Sequence, residues 1–163
     1  VREDEFFSVG DLSVQPFRIS HDAAQPVGFR VHHGGRAVAV ATDMGIYDDY
    51  IVENLKGVNA LLLEANHDER MLQAGGYPYY LKRRIAGSKG HLSNSTAGKL
   101  LCRILGDQLH TILLGHLSRE NNYEALAYET VCAEVTMGDT PYKSGDFHIA
   151  VAKRDCVSEL ISV

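Results

Sequence analysis

The stretch Ala60-Leu61-Leu62-Leu63-Glu64-Ala65-Asn66-His67-Asp68 decides the fold. Residues 60–63 are apolar without alternation and too few for a helix, which is typical of a short, fully buried strand. Glu64 follows them directly, so a charged group closes a buried strand. Farther along the chain, Thr111-Ile112-Leu113-Leu114-Gly115-His116 repeats this arrangement. Two such strands with helical patterns around them predict a mixed α/β fold in which helices cover a sheet.

The segments on either side supply further elements. Gly34-Gly35 separates two strand-like segments, residues 27–33 and 36–42, and provides the positive φ angles of a two-residue turn, so these strands should form an antiparallel hairpin. Residues 12–19 alternate like a half-buried strand, in which Pro16 favours an edge position or a bulge. The other predicted elements are helices over residues 50–55, 68–74, 78–86, 94–105 (with Ser93 as N-cap) and 122–135, and a strand over residues 148–152.

The composition is that of an ordinary globular domain, with 163 residues, 45% hydrophobic and 23% charged. No linker or repeat divides the chain, so we expect one unit over residues 1–163 without an internal boundary. The apolar runs are of strand length, which excludes a membrane-spanning helix. Three widely spaced cysteines indicate neither a disulfide framework nor a thiolate zinc site. A reducing cytoplasm is therefore the expected location.

The formal net charge of −5 gives no general attraction to nucleic acid, so a polyanion would need a local basic patch. One cluster combines basic and aromatic residues: Lys82, Arg83, Arg84 and Lys89 with Tyr77, Tyr79 and Tyr80. It is either a surface for phosphates and bases or a solvated helix face whose alkyl stems cover apolar area. Tyr123 and Tyr128 are expected to pack or cap rather than to take part in chemistry.

Polar residues follow the predicted strands at the points where those strands end. His21, Asp43, Glu64 and His116 each come directly after, or close behind, an apolar strand segment. Strand ends fix a side chain while the loop leaves it accessible, so sites gather there in α/β sheets. Imidazole nitrogens and carboxylate oxygens are the donors that zinc, manganese and iron accept. The four residues together therefore predict a metal site.

Several motifs resemble the later motifs of the metallo-β-lactamase fold, in the right order from about residue 12 to about residue 150. Within that family they are similar to the bacterial YycJ/WalJ branch of nucleases, and more distantly to tRNase Z. The motifs are Ser20-His21-Asp22, Thr42-Asp43-Met44-Gly45, Glu64-Ala65-Asn66-His67-Asp68, Tyr79-Tyr80-Leu81-Lys82-Arg83-Arg84, Lys89-Gly90-His91-Leu92-Ser93 and Gly115-His116-Leu117-Ser118-Arg119-Glu120-Asn121.

The resemblance implies a role for each matched residue. His21 and His116 would each bind one of two metal ions, zinc or manganese, and Asp43 would bridge both. His91 would be a catalytic proton donor above the scissile phosphate, and Glu64 would hold its imidazole in the productive tautomer. The residues expected to contact substrate are Lys82, Arg83, Arg84, Ser93, Arg119 and Asn121, although Arg119 and Asn121 are equally suited to capping the next helix.

The implied function is metal-dependent cleavage of phosphodiesters, most specifically by a DNA exonuclease, with nucleic acid as the partner. Fold alone does not fix the substrate, so a hydrolase of a small ester, thioester or lactam is the alternative among enzymes. A non-catalytic assembly module, whose ligand-like residues only make structural hydrogen bonds, is the alternative outside enzymes.

One family motif is missing from this sequence. The His-x-His-x-Asp-His spacing that supplies much of both metal spheres is absent, and His32-His33 is the nearest histidine cluster. The chain therefore resembles the C-terminal half of a metallo-β-lactamase αββα sandwich. Each ion would find about two protein ligands, so we expect little or no metal and no activity in the isolated chain. We also expect a homo-oligomer through the surface that an absent half leaves uncovered.

Overall fold

The computed structural model describes all 163 residues and has one seven-stranded sheet with helices. The strands are β1 (Phe7–Val9), β2 (Leu12–Arg18), β3 (Val27–His33), β4 (Arg36–Ala41), β5 (Ala60–Glu64), β6 (Thr111–Gly115) and β7 (His148–Val151). The helices are α1 (Asp49–Leu55), α2 (Glu69–Ala74), α3 (Tyr79–Ile85), α4 (Asn94–Ile104) and α5 (Glu124–Met137), with a 3₁₀ turn at Ser144–Asp146. The predicted α/β class and order of elements are confirmed, apart from β1 and the 3₁₀ turn.

The sheet is mixed, and its strands lie side by side in chain order. Strands β1 to β4 are antiparallel to their neighbours, whereas β4 to β7 are parallel. Parallel neighbours need long crossovers, which here contain the helices. Because β2 runs in the same direction as β4, the carboxyl ends of β2, β4, β5, β6 and β7 meet at one edge of the sheet. Every strand end that carries a predicted metal ligand lies there.

The N-terminal strands show one confirmed turn and one wrong expectation. Gly34 and Gly35 adopt φ angles of 56° and 80° between the paired strands β3 and β4, as the hairpin requires. Strand β2 is not the edge strand, because β1 pairs with it from Leu12 to Val14. Pro16 lies beyond the end of that pairing, where its missing N–H interrupts no ladder. The expectation fails because β1, although it alternates as Phe7-Ser8-Val9 and is joined to β2 by Gly10-Asp11, is three exposed residues long and was not recognised as a strand.

Side-chain caps fix the starts of three helices near the site edge. The Asp48, Asp68 and Ser93 side chains accept hydrogen bonds from backbone N–H groups at the N3 positions of α1, α2 and α4. Such a cap contributes about 1 kcal/mol, which matters most for helices as short as α1 and α2. Helix α3 has no side-chain cap and no buried residue. It therefore lies on the surface with most of its side chains free to face solvent.

The two faces of the sheet differ in what covers them. Ala39, Leu61 and Ile112 belong to a core of 25 buried residues that also contains the apolar faces of α1, α4 and α5. The opposite face presents Val40, Leu62 and Leu113, which are side by side in the register, lie outside that core and stay partly exposed. We call this surface the open face. None of the helices is both long and apolar enough to cross a membrane.

Candidate metal centre

The predicted strand-end residues meet at the carboxyl edge of the sheet. Asp43 follows β4, and its Oδ1 lies 3.5 Å from Nε2 of His21 and 3.8 Å from Nε2 of His116. His91 joins them from the loop between α3 and α4, with its ring centre 5.1 Å from that of His21 and 5.2 Å from that of His116. Residues separated by up to 95 positions in the sequence thus form one cluster of three imidazoles around a carboxylate.

Glu64 is the buried anchor of this cluster. Its Oε1 accepts hydrogen bonds from Nδ1 of His91 at 2.8 Å and from Nδ1 of His116 at 2.6 Å. Its Oε2 accepts from the backbone N–H groups of Met44 at 2.9 Å and Leu92 at 3.0 Å. Burial alone would raise the pKa of Glu64, but the hydrogen bonds from His116 and His91 outweigh it and lower the pKa to about 2. Glu64 is therefore a carboxylate whose two oxygens are both occupied.

The histidines next to Asp43 have their inner nitrogens held and turn their outer nitrogens toward carboxylates; Nε2 of His21 lies 3.4 Å from Oδ1 of Asp22 as well as 3.5 Å from Oδ1 of Asp43. His21 Nδ1 lies 3.1 Å from the Gly90 carbonyl oxygen, and His116 Nδ1 is bonded to Glu64. A histidine that donates from Nδ1 to a carbonyl or carboxylate presents an unprotonated Nε2, which is the usual second-sphere arrangement of metal-binding histidines. In the metal-free molecule the hydrogen bond to Glu64 also raises the pKa of His116.

Backbone strain is concentrated at the same residues. Asp43 and His116 adopt left-handed φ angles of 61° and 57°, and Asp4 is the one other non-glycine residue with a positive φ. This conformation is unfavourable for residues with a Cβ atom, by roughly 1 kcal/mol or more, and it persists where the surroundings enforce it. Two strained residues that share one cluster indicate a functional site rather than a turn.

A buried asparagine network enforces the strain at His116. Asn66, directly behind β5, donates from Nδ2 to the His116 carbonyl oxygen at 2.8 Å. The Asn66 carbonyl in turn accepts from the backbone N–H of Ser118 at 2.7 Å and from Nδ2 of Asn122 at 3.0 Å. Asn122 is also bonded to Asn94. Sequence reasoning missed these asparagines; the one signal was the position of Asn66 two residues after the end of a buried strand.

The donor set fits a divalent metal site. Asp43, Glu64, His91 and His116 have ligand atoms within 4.8 Å of one another. Because both oxygens of Glu64 are filled by four hydrogen-bond donors, we regard it as the support of the site. His21, whose Nε2 faces Asp43, is the better ligand. Nitrogen from two imidazoles and oxygen from one carboxylate suit zinc or manganese, and further ligands would be needed to complete two coordination spheres.

The predicted substrate residues divide into two groups by location. Arg84 and Arg119 line an open cleft of about 1000 Å³ that also contains His91 and His116. Arg84 makes a bidentate ion pair with Asp22, with distances of 2.5 and 3.1 Å. Lys82 and Arg83 lie on α3 outside this lining, with Lys82 bonded to the Gln73 carbonyl oxygen and Arg83 stacked above the Tyr79 ring.

Ser93 and Asn121 make contacts of a structural kind. Ser93 is buried, caps α4 and is bonded to Glu69 at 2.8 Å. Asn121 is 1% exposed, and its backbone carbonyl accepts from Asp68. Neither lines the cleft beside His116. The Gly-His-x-Ser spacing brought Ser93 to attention, but in the structure this serine supports the loop that carries His91.

The fold and the site together define a metallo-β-lactamase-fold protein. Residues 1–116 match the family described as the Beta-lactamase superfamily domain, and the chain belongs to this superfamily of metal-dependent hydrolases. The predicted family is thus confirmed. Among solved structures, the chain resembles the metallo-β-lactamase fold protein YhfI from Bacillus subtilis, with a TM-score of 0.65 and 16% identity, over 94% of this chain and 52% of that one.

Curated relatives come from two bacteria. The exodeoxyribonuclease YycJ of Bacillus anthracis is 40% identical over 122 residues, 75% of this chain and 46% of that protein. The exodeoxyribonuclease WalJ of Streptococcus pneumoniae is 36% identical over 130 residues, 80% of this chain and 48% of that protein. The chain spans about half the length of these relatives.

Proposed function

We propose that the complete protein is a two-metal phosphodiesterase that acts on DNA as an exonuclease, and that residues 1–163 are the C-terminal portion of its metallo-β-lactamase domain. The observation that carries this proposal is the position of the Asp43 carboxylate between the Nε2 atoms of His21 and His116, within 3.5 and 3.8 Å. The names of the YycJ and WalJ relatives support DNA as the substrate.

In this proposal His21 and His116 would each hold one ion and Asp43 would contribute to both. When bound, zinc or manganese would supply Lewis-acid chemistry, which activates water and stabilises charge on a phosphoryl group. The protein holds these ligands before the metal arrives, because Gly90 and Glu64 fix the two imidazole rings and Asn66 fixes the His116 backbone.

His91 is the proposed general acid. Its Nδ1–H is held by Glu64, so Nε2 is the atom available to substrate. The buried Glu64 carboxylate fixes the orientation of the imidazole, so that Nε2 is placed to donate a proton to the leaving oxygen of the phosphodiester. Glu64 thus serves the proposed proton donor and a proposed metal ligand at once.

The substrate contacts follow the two groups described above. Arg84 and Arg119, in the cleft beside His91, are the proposed phosphate contacts near the reaction. Lys82 and Arg83 on α3 would contact the nucleic acid farther from the metal centre.

Three free cysteines, Cys102, Cys132 and Cys156, suit a reducing compartment, and we infer a cytoplasmic location from them.

The isolated chain is proposed to be inactive. His21, Asp43 and His116 leave each of two ions with about two protein ligands, fewer than a stable site uses. We also infer that the isolated chain self-associates, because the open face leaves Val40, Leu62 and Leu113 partly exposed next to one another. Phosphodiester cleavage by the isolated chain that His116→Ala abolishes would overturn the first of these inferences.

The test is digestion of DNA by the complete protein with added manganese or zinc. We expect nucleotides to be released from an end of the DNA, with at least a hundredfold loss in Asp43→Ala and His116→Ala. The exposed Lys99→Ala on α4 serves as a matched surface control and should be fully active. Hydrolysis of a small ester, thioester or lactam without release of nucleotides would contradict the phosphodiesterase assignment.

A further inference from the structure

The cleft next to the metal centre has walls from several separate segments. His91 and His116 line it together with α3 and the loop before it, Leu62 of β5, Asn66, the loop between β6 and α5 and the segment after β7. Its volume of about 1000 Å³ is at the upper end of the range for small-ligand clefts, about 300–1,000 Å³. It is open to solvent, so an extended ligand can lie in it and reach the two histidines with one end.

The lining of this cleft is basic although the chain as a whole is acidic. Four cationic side chains line it against two anionic ones, and the local net charge is +1 once the Asp22 carboxylate paired with Arg84 is counted, in a chain of formal charge −5. The cations are Arg84, Arg119, Lys153 and Arg154, and the anions are Glu124 and Asp155. Arg119 and Asp155 approach only to 4.0 Å with both side chains exposed, so this pair is weak. The cleft is therefore a local basic patch of the kind that a polyanion requires.

Two tyrosines from different parts of the chain line the same cleft. Tyr77 precedes α3 and is partly exposed, and Tyr123 precedes α5 and is 57% exposed. Tyr123 occupies the N-cap position of α5 but makes no side-chain cap bond. Tyr123, expected to pack or cap rather than to take part in chemistry, thus begins α5 and also lines the cleft. Exposed aromatic rings between cations are the usual means by which proteins stack unpaired bases.

We propose that this cleft binds the single-stranded end of a nucleic acid, with bases stacked on Tyr77 and Tyr123 and phosphates held by Arg119 and Lys153. The inference rests on the proposed function and adds a substrate form and a binding path to it. A duplex presents only phosphates and base edges to a protein cleft, because its base faces are stacked on one another. Tyrosine rings stack on base faces, which only unpaired bases expose. The strand end nearest His91 and His116 is the end presented to the metal centre.

The test is equilibrium binding of the complete protein to a labelled oligothymidine and to a blunt duplex of equal length, with chelator present to prevent cleavage. Tyr123→Ala should weaken binding of the single strand by at least about fivefold, the loss of one stacked base, and change duplex binding less than twofold. Tyr123→Phe keeps the ring and should bind like the wild type. Tyr128→Ala, also an exposed tyrosine on α5 but outside the cleft, should have no effect.

A second variant tests the phosphate contacts. Arg119→Ala should reduce the slope of log K against log salt for the single strand by about 0.7, the value for one phosphate. Lys99→Ala should leave that slope unchanged. Thermal melting of each variant shows whether it is folded. Tyr123 and Tyr128 are both exposed, so we expect their alanine variants to fold. A variant that loses binding because it is unfolded would be identified by its melting curve.

The outcomes separate this inference from the function on which it rests. Wild-type protein that degrades DNA, with Tyr123→Ala binding the single strand as tightly as wild type, overturns the cleft proposal and leaves the phosphodiesterase proposal standing. Equal weakening of single-strand and duplex binding overturns the single-strand assignment. Wild-type protein that neither binds nor degrades DNA overturns both.

Discussion

Glu64 Oε1 accepts a hydrogen bond from His116 Nδ1 at 2.6 Å, although the two residues are 52 positions apart. The same oxygen accepts from His91, so one buried carboxylate fixes both imidazoles that face the cleft. The first prediction follows from this shared acceptor. Glu64→Gln removes the charge and places an amide N–H₂ against either two imidazole N–H groups or two backbone N–H groups. We expect the free energy of unfolding to fall by about 3 kcal/mol, measured by urea denaturation.

The matched control is Glu129→Gln, an exposed glutamate on α5. Surface changes of this kind usually stay within about 0.5 kcal/mol. Equal stability of Glu64→Gln and the wild type would show that the four hydrogen bonds to this carboxylate have no net effect.

Asn66 is predicted to control metal affinity through the backbone of His116. In the complete protein, Asn66→Ala removes the donor to the His116 carbonyl and should raise the metal dissociation constant by about 10–100-fold. Competition with a chelating dye measures this constant. Asn59→Ala is the control, because the Asn59 side chain makes two comparable bonds, to Ala37 and Gln108, away from the site. An equal loss of metal affinity in both variants would mean that Asn66 acts only through general stability.

Backbone strain at Asp43 predicts that one substitution will raise the stability of the metal-free protein and at the same time weaken metal binding. Glycine relieves a φ of 61°, so Asp43→Gly should raise the free energy of unfolding of the metal-free protein by about 0.5–1 kcal/mol at pH 8. Glu129→Gly, inside α5, should lower it by about 1 kcal/mol. The same Asp43→Gly variant should lose metal. If it is less stable than the wild type, the strain is not released by glycine and the argument fails.

The open face predicts self-association of the 163-residue chain. At tens of micromolar, light scattering should give a mass above the 17.9 kDa of one chain. Val40→Lys places a charge in the middle of that face, where Val40 is 39% exposed, and should shift the mass toward 17.9 kDa. Val157→Lys, at an exposed position after β7, should not. A wild-type chain that is monomeric at these concentrations would contradict the inference.

The sequence predicted most of the fold because buried strands and capped helices leave local signals. The Leu run before Glu64, the Gly34-Gly35 turn and the Ser93 cap each act over a few residues, and each is present in the structure. Strand β1 was missed although Gly10-Asp11 is a two-residue turn signal, because a strand of only three exposed residues is too short for its alternation to be distinctive.

Candidate site residues were recognisable where a polar side chain coincides with a strand end, as at His21, Asp43, Glu64 and His116. The structure brings all four together. The double anchoring by Glu64 and the hydrogen bond from Asn66 to His116 join residues about 50 positions apart, and no short-range pattern encodes such contacts. The positive φ angles of Asp43 and His116 depend on those contacts and were equally hidden. The exposure of Tyr123 was not predictable either, because exposure at a helix start depends on how the neighbouring loops pack.

Metal content of the complete protein, purified without a chelator and without a histidine tag, tests the central claim most directly. Elemental mass spectrometry should find between one and two zinc or manganese ions per chain in the wild type. Asp43→Ala should fall well below one ion per chain, because the proposed bridging ligand is lost. An unchanged metal content in Asp43→Ala, or no metal in a wild type that degrades DNA, would contradict the assignment of His21, Asp43 and His116 as the metal centre.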